Sequence, residues 1–276
     1  MHNLNPSNED AFSLYKEAVS RKHSGPSKTR LLAAEGNVQS YYAEYERRYI
    51  DGTLRDIPPK RVTGLLYKDL FDLYDYDAAI VKEMRESIKK NNPISVYGIC
   101  QYCGLGGHDT MDHILPHTKY AEYAVLAKNL IPCCSDCNRR KNERELLNLY
   151  TDILPDVEYL FMDVNPDGDT IDLNFRLDNA AKKVDAVLFQ KIESHYAKLE
   201  LFDRMKTMAN ARLAAFVIRI NGVYDKLTKY SVIDTVMEGI VGLRKTYGYN
   251  YWEAAFQKGL VNSSVFWDYY DQGKLI

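Results

Sequence analysis

Cys100-Gln101-Tyr102-Cys103 and, about thirty residues later, Cys133-Cys134-Ser135-Asp136-Cys137-Asn138-Arg139-Arg140-Lys141 decide how this chain of 276 residues is read. All five cysteines lie in this region, as two C-x-x-C pairs plus Cys133. Disulfides are disfavoured in a reducing compartment, and paired, clustered thiols are what a tetrahedral zinc ion takes. One such pair is a weak sign; two at this separation are a strong one. The expected ligands of a structural Zn2+ are Cys100, Cys103, Cys134 and Cys137, with reduced structural or redox thiols as the alternative. Cys133 reads either as a fifth candidate ligand or as a small buried residue at a strand end. Four thiolates already close a zinc shell.

Between the pairs lie Thr110-Met111-Asp112-His113-Ile114-Leu115-Pro116 and then Lys128-Asn129-Leu130-Ile131-Pro132. An Asp and a His thus stand side by side at the end of a short apolar strand. An amide, Asn138, follows the last thiol, where a helix is expected to begin. Zinc would staple the segment before the first strand to the start of that helix and gather residues distant in sequence on one small frame.

Asp-His-x-x-Pro, then Asn-Leu, then Cys-x-x-Cys-Asn-x-x-Lys resembles the HNH endonuclease family in its zinc-stapled form. The likeness covers about residues 98–145. The longer match, residues 112–120 with 129–138, resembles a bacterial branch that includes HNH subunits of Septu-type antiphage systems, which work beside an ATPase. Residues 194–201 also look like that branch, far less specifically. The resemblance implies a ββα-metal fold, in which two strands, a loop and one helix surround a divalent ion. It implies His113 as general base, Asp112 and Asn138 as ligands of a catalytic Mg2+ or Mn2+, and Asn129 as the residue that pins the loop and helps orient the base.

The implied chemistry is consistent with these residue types. A neutral imidazole, pKa ~6.5, takes a proton from water at cellular pH. Hard oxygen ligands leave positions open for water and phosphate, as Mg2+ prefers. Asn at the last position, in place of His, favours Mg2+ or Mn2+ over nickel or a second zinc. Arg139, Arg140 and Lys141 read as a phosphate-binding group beside Asn138, against the alternative of a solvated basic face. His117 stands where the branch commonly has Lys, and reads as a phosphate contact or as exposed. His108, in the Gly-rich loop 104–107, is expected to be exposed, and His195 to be a packing histidine on a helix.

Outward from this core the chain reads as mainly α, so the expected architecture is helical with a small ββα-metal nuclease core and a β-hairpin after it. Residues 1–95 form a helical region. Val38, Tyr41 or Tyr42, Tyr45 and Tyr49 make one stripe, and Leu66, Leu70, Leu73, Ile80, Met84 and Ile88 another. Asp51-Gly52 and Pro58-Pro59 mark a loop between them, and Asn91-Asn92-Pro93 ends the last helix. Residues 96–150 hold the nuclease core. Residues 151–276 open with strands at 158–164 and 170–177 around a turn at 165–169, then return to helices. The aromatics of 247–270, Trp252, Phe256, Phe266, Trp267, Tyr269 and Tyr270 among them, suit a protein interface or a core.

Hydrophobic residues at 46% and charged residues at 27%, with 15 Gly and 9 Pro, exclude a disordered or fibrous chain. No apolar run reaches the roughly 18 residues of a membrane span, and residues 1–6 lack a secretory pattern, so the cytoplasm is the expected location. The net charge of −2 argues against a free-standing DNA binder. Residues 94–150 carry Lys119, Lys128, Arg139, Arg140, Lys141 and Arg144 against Asp109, Asp112, Glu122, Asp136, Glu143 and Glu145, so the catalytic segment has no cationic surplus. The expected function is metal-dependent cleavage of DNA by the effector of an antiphage system, with an ATPase partner to deliver the substrate. The competing readings are RNA as substrate, and a zinc-stapled binding module without catalysis.

Overall fold

The computed structural model describes residues 1–224 and 228–275; residues 225–227 and Ile276, the end of the third expected region, lie outside the described residues. The chain forms two compact units. One is built from Asn3–Cys100 and Gly107–Ile153, the other from Met1–His2, Gln101–Gly106 and Leu154–Ile276. Among the described residues the structure is mainly α, with two small two-stranded sheets, and no helix is long and apolar enough to cross a membrane.

The first unit begins with α1 (Ala11–Ser20), α2 (Pro26–Ala33), α3 (Glu35–Ile50), α4 (Gly64–Phe71), α5 (Ala79–Lys90) and α6 (Ile94–Tyr97). Asp10 caps α1 by accepting from the Ser13 amide at 2.7 Å, and Leu14, Tyr15, Ala18 and Val19 form its buried face. On α3 the inward stripe is Val38, Tyr42 and Tyr45, so helical spacing selects Tyr42 over Tyr41. The second expected stripe is shared by two helices: Leu70 lies on α4, whereas Ile80, Met84 and Ile88 lie on α5. Asn92 closes α5, donating to the Ile88 carbonyl at 2.7 Å and exchanging bonds of 2.8 Å with the backbone of Asn5.

The metal-motif segment continues the same unit with β1 (Thr110–His113), β2 (Leu130–Cys133) and α7 (Ser135–Lys141). The strands are antiparallel, Thr110 opposite Cys133 and His113 opposite Leu130. One apolar core runs through the helices and this segment, from Tyr15, Tyr45 and Met84 to Met111, Tyr123 and Leu130. Burying that much aromatic and aliphatic surface gives a short ladder of four pairs the rigidity it lacks alone.

The second unit holds β3 (Leu160–Asp167), β4 (Thr170–Leu177), α8 (Ala186–Lys198), α9 (Leu201–Tyr224), α10 (Lys229–Tyr247), α11 (Trp252–Val261) and α12 (Ser264–Asp271). The hairpin is present, with a tighter turn than its composition suggested. Asn165, Pro166 and Asp167 pair with Asp172, Ile171 and Thr170, which leaves Gly168 and Asp169 as the loop. Gly168 turns the chain with φ of 58°, where a side chain would be strained. Helix α11 lies so close to β3 that a Cβ on Gly259 would come within 2.5 Å of the Met162 carbonyl oxygen. Trp252, Phe256, Phe266 and Trp267 are all buried. Most of the aromatic stretch is therefore core, while Tyr247, Tyr249, Tyr269 and Tyr270 stay half-buried.

Candidate active site

His113 is the last residue of β1, buried at 5% exposure, and its Nε2 lies 2.9 Å from the Ala124 carbonyl. A carbonyl only accepts, so Nε2 carries the proton and Nδ1 is left as the basic nitrogen. Burial, with the neighbouring His117 and the Lys141 ammonium, pushes the His113 pKa down to about 3, against the opposing bond to Ala124. The imidazole is neutral at any physiological pH. Tyr74 meets it edge-on at 4.5 Å and His117 lies 4.4 Å away, itself stacked on Phe71 at 4.3 Å. His117 is thus neither exposed nor solitary; burial lowers its pKa too.

Asn129 stands at the other end of the loop and is fully buried. Its Oδ1 accepts from the Leu115 amide at 2.7 Å and the Tyr45 hydroxyl at 3.3 Å. Its Nδ2 donates to the carbonyls of Leu115 at 3.1 Å and Tyr123 at 3.3 Å. Three of these four bonds satisfy loop backbone that cannot reach water. Tyr123 directly precedes Ala124, whose carbonyl meets His113.

Asp112, His113 and Asn138 line one cleft of about 650 Å³, together with Tyr74, His117 and Arg139. Asn138 sits in α7, whose N-cap is Cys134. Lys141 follows Asn138 by three residues and therefore shares its helix face. Expected to meet phosphate, Lys141 instead lies inside the protein at 2% exposure. Its Nζ donates to Asp112 Oδ1 at 2.9 Å and to the His113 carbonyl at 2.6 Å. A buried ammonium needs such partners, because leaving either charge unpaired away from water costs several kcal/mol. Arg139 and Arg140 both engage Asp136, at 2.6 and 3.1 Å, and Lys119 pairs with Glu143 at 2.8 Å. Part of the charge balance read from the sequence is thus realised as pairs within the segment.

The sulfurs of Cys100, Cys103, Cys134 and Cys137 all lie within 4.8 Å of one another, and none of the five cysteines is in a disulfide. Zinc–sulfur bonds of about 2.3 Å hold tetrahedral sulfurs about 3.8 Å apart, so the cluster suits zinc with little adjustment. Backbone amides already donate to two of these sulfurs, Cys137 N to Cys134 and Leu105 N to Cys103. Cys133 stands outside the cluster, fully buried at the end of β2, and burial beside Asp112 raises its thiol pKa. Asp112 and Asn138 offer the hard oxygen donors that suit Mg2+ or Mn2+. His195 is fully buried and bonded through Nε2 to the Tyr102 carbonyl at 2.7 Å, a packing role. His108 departs from expectation. It is half-buried, edge-on to Tyr97 at 4.7 Å.

Sequence reasoning missed Tyr74, which lines the cleft, and Phe71, which stacks on His117 behind it; both come from around the end of α4. No local pattern marks them, since their contacts with His113 and His117 span about forty residues. The Lys141 pairing did carry a signal, the three-residue step from Asn138.

Residues 100–144 match the family model described as HNH endonuclease. The chain is also similar to "Protein ea31" of Escherichia phage lambda, 30% identical over 111 residues, which is 40% of this chain and 34% of that protein. The matched part thus spans about a third of its relative's length. No solved structure matches the chain significantly. Residues 100–144 form an HNH endonuclease domain, a nuclease domain that hydrolyses phosphodiester bonds.

Proposed function

We infer that the whole chain is a metal-dependent endonuclease that cuts DNA. The observation that carries the reading is His113, neutral, held by Ala124 through Nε2, with Nδ1 left for water in a cleft shared with Asp112 and Asn138. In this reading Nδ1 takes the proton of the attacking water, and the Ala124 carbonyl keeps the ring in the tautomer that can do so. Asp112 and Asn138 hold Mg2+ or Mn2+, which when bound stabilises charge on the phosphate and on the departing 3′ oxygen. Asn129 is a positioning residue that acts through the loop. Arg139, at the cleft, and Arg140 beside it are the cations placed for flanking phosphates once Asp136 releases them. The four thiolates hold a structural Zn2+.

The finer biological reading is an effector of Septu type, acting in the cytoplasm with an ATPase. The motif resemblance and the absence of a cationic surplus in the sequence of residues 94–150 support it. The C-terminal Trp252, Phe256, Phe266 and Trp267 give it no support, because they are buried. Plasmid DNA and structured RNA incubated with the zinc-loaded protein and Mg2+ test the substrate. DNA cleavage that EDTA stops and Mg2+ or Mn2+ restores is the expected result; cleavage of RNA alone would replace DNA as substrate. Co-expression with the neighbouring gene product, followed by size-exclusion chromatography, tests the partner. Robust cleavage by the isolated chain at physiological salt, with no complex recovered, would overturn the partnership.

A further inference from the structure

We propose that Lys141 makes divalent-metal binding in the cleft conditional on nucleic acid. The proposal rests on the reading of Asp112 and Asn138 as metal ligands. It begins from the only carboxylate in that donor set, which is already neutralised by an ammonium at 2.9 Å, both groups buried to within 4% exposure of their side chains. The other charged side chains of the cleft, Glu143 and Arg139, are a second opposite pair, so its lining sums to zero. Each is compensated locally as well, Glu143 by Lys119 and Arg139 by Asp136. His113 adds no charge, and Asn138 offers only a dipole.

A divalent cation entering such a cleft meets one buried carboxylate, desolvation, and a fixed ammonium a few ångströms away. Attraction to Asp112 is offset by repulsion from Lys141, and in a buried site neither is screened well. The ammonium cannot simply swing into water. It is enclosed, and its second bond, 2.6 Å to the His113 carbonyl, anchors it to the strand that carries the base. What the cleft lacks is anionic charge, and a phosphodiester supplies it with oxygens able to complete the metal's shell. Metal and phosphate are therefore bound together, and the protein without nucleic acid holds the metal weakly. Lys141 serves as a specificity device of the site. It keeps the carboxylate paired in the absence of metal and prevents a loaded, hydrolytically competent cleft before substrate is present.

The test measures Mn2+ binding to the full-length, zinc-loaded chain by electron paramagnetic resonance. His113→Ala serves as background so that DNA is not cut, and Mn2+ bound by the duplex alone is subtracted. With a short DNA duplex the affinity rises by about tenfold or more, and Lys141→Gln raises the affinity without duplex by a similar factor while shrinking the effect of the duplex. Gln keeps a hydrogen-bond donor for Asp112 or the His113 carbonyl and removes only the charge. Mn2+ bound equally tightly with and without duplex would overturn the proposal, and that comparison needs no Lys141 variant. So would Lys141→Gln that folds and binds Mn2+ no better. Asp112→Ala separates this from failure of the underlying reading. If it binds Mn2+ beside the duplex as well as its parent does, Asp112 is not a ligand and both fall; if it loses Mn2+ while Lys141→Gln changes nothing, only the role of Lys141 falls.

Discussion

The HNH segment holds two candidate metal sites of opposite construction. One is a set of four thiols converging within 4.8 Å, with no cation among the side chains that compose it. The other is a cleft whose proposed donors are one carboxylate, already paired to a buried lysine, and one amide. Four thiolates over-satisfy a divalent ion in charge and complete its shell, so that site suits a permanent, structural metal. The cleft's proposed donors, one carboxylate beside an ammonium and one amide, under-satisfy a divalent ion in charge. In the proposed reading, one segment of chain separates a structural metal from a catalytic one.

The comparison breaks most visibly at the thiols. Cys134→Ser is expected to abolish stoichiometric zinc and to unfold the 100–144 region, because structural zinc contributes about 10–16 kcal/mol of apparent binding free energy to folding. Zinc content and hydrogen exchange across β1, β2 and α7 check this. Full zinc occupancy and unchanged protection would remove the structural role.

The cleft responds differently. His113→Ala is expected to lower cleavage by about 10²–10⁴-fold, the range of general-base catalysis, while zinc content stays at one per chain. A kinetic assay with parallel metal analysis reads both. Loss of zinc together with activity would mean that the two sites are one structural entity, and retained activity would move the base elsewhere.

Asn129 tests whether the catalytic side needs its loop. Asn129→Ala leaves buried partners from Leu115, Tyr123 and Tyr45 unsatisfied, at about 1–3 kcal/mol for each group left unpaired, less whatever the loop recovers by relaxing. Denaturant midpoints should fall, and kcat should fall further than KM changes, because the Ala124 carbonyl no longer holds the ring. An effect on stability alone would make Asn129 a purely structural amide.

Much of this site is legible in the sequence because metal chemistry is local: thiol spacing, the Asp112-His113 pair and Asn138 all lie within one short segment. The helices of the first unit are legible for a similar reason, periodicity of the kind that separates Tyr42 from its neighbour. Two kinds of feature escape. Long-range neighbours such as Tyr74 and Phe71 leave no trace in a window of any practical length. Charge in a run is read as surface by habit, and Lys141 broke the habit because α7 turns every third or fourth residue of Arg139-Arg140-Lys141 inward. The strand through Asn165-Pro166-Asp167 escaped because turn-forming composition permits a turn without requiring one. The C-terminal aromatics read equally as core or interface until Asn250 is seen fixing β3 through the Tyr159 and Leu160 amides, which seats α11 against the hairpin.

The smallest expected effect lies in pH. His113 titrates near 3 in the folded protein and near ~6.5 when unfolded, so below pH ~6.5 the unfolded chain binds a proton that the folded chain refuses. Stability that is full above pH ~6.5 is therefore lost as pH falls toward 3. Between pH 7 and 5.5 the loss is about 1 kcal/mol from this residue by linkage. His117, lowered by burial in the same direction, adds to it. Urea midpoints measured without added Mg2+ should decline over that interval, and the decline should shrink in His113→Asn. The thiol cluster sharpens the contrast, because thiolates are protonated only by competing with the zinc they hold. Zinc content should therefore hold steady across the interval in which the cleft loses stability. Zinc released in step with the fall in midpoint would place the acid sensitivity in the cluster and leave the buried imidazole without a measurable share.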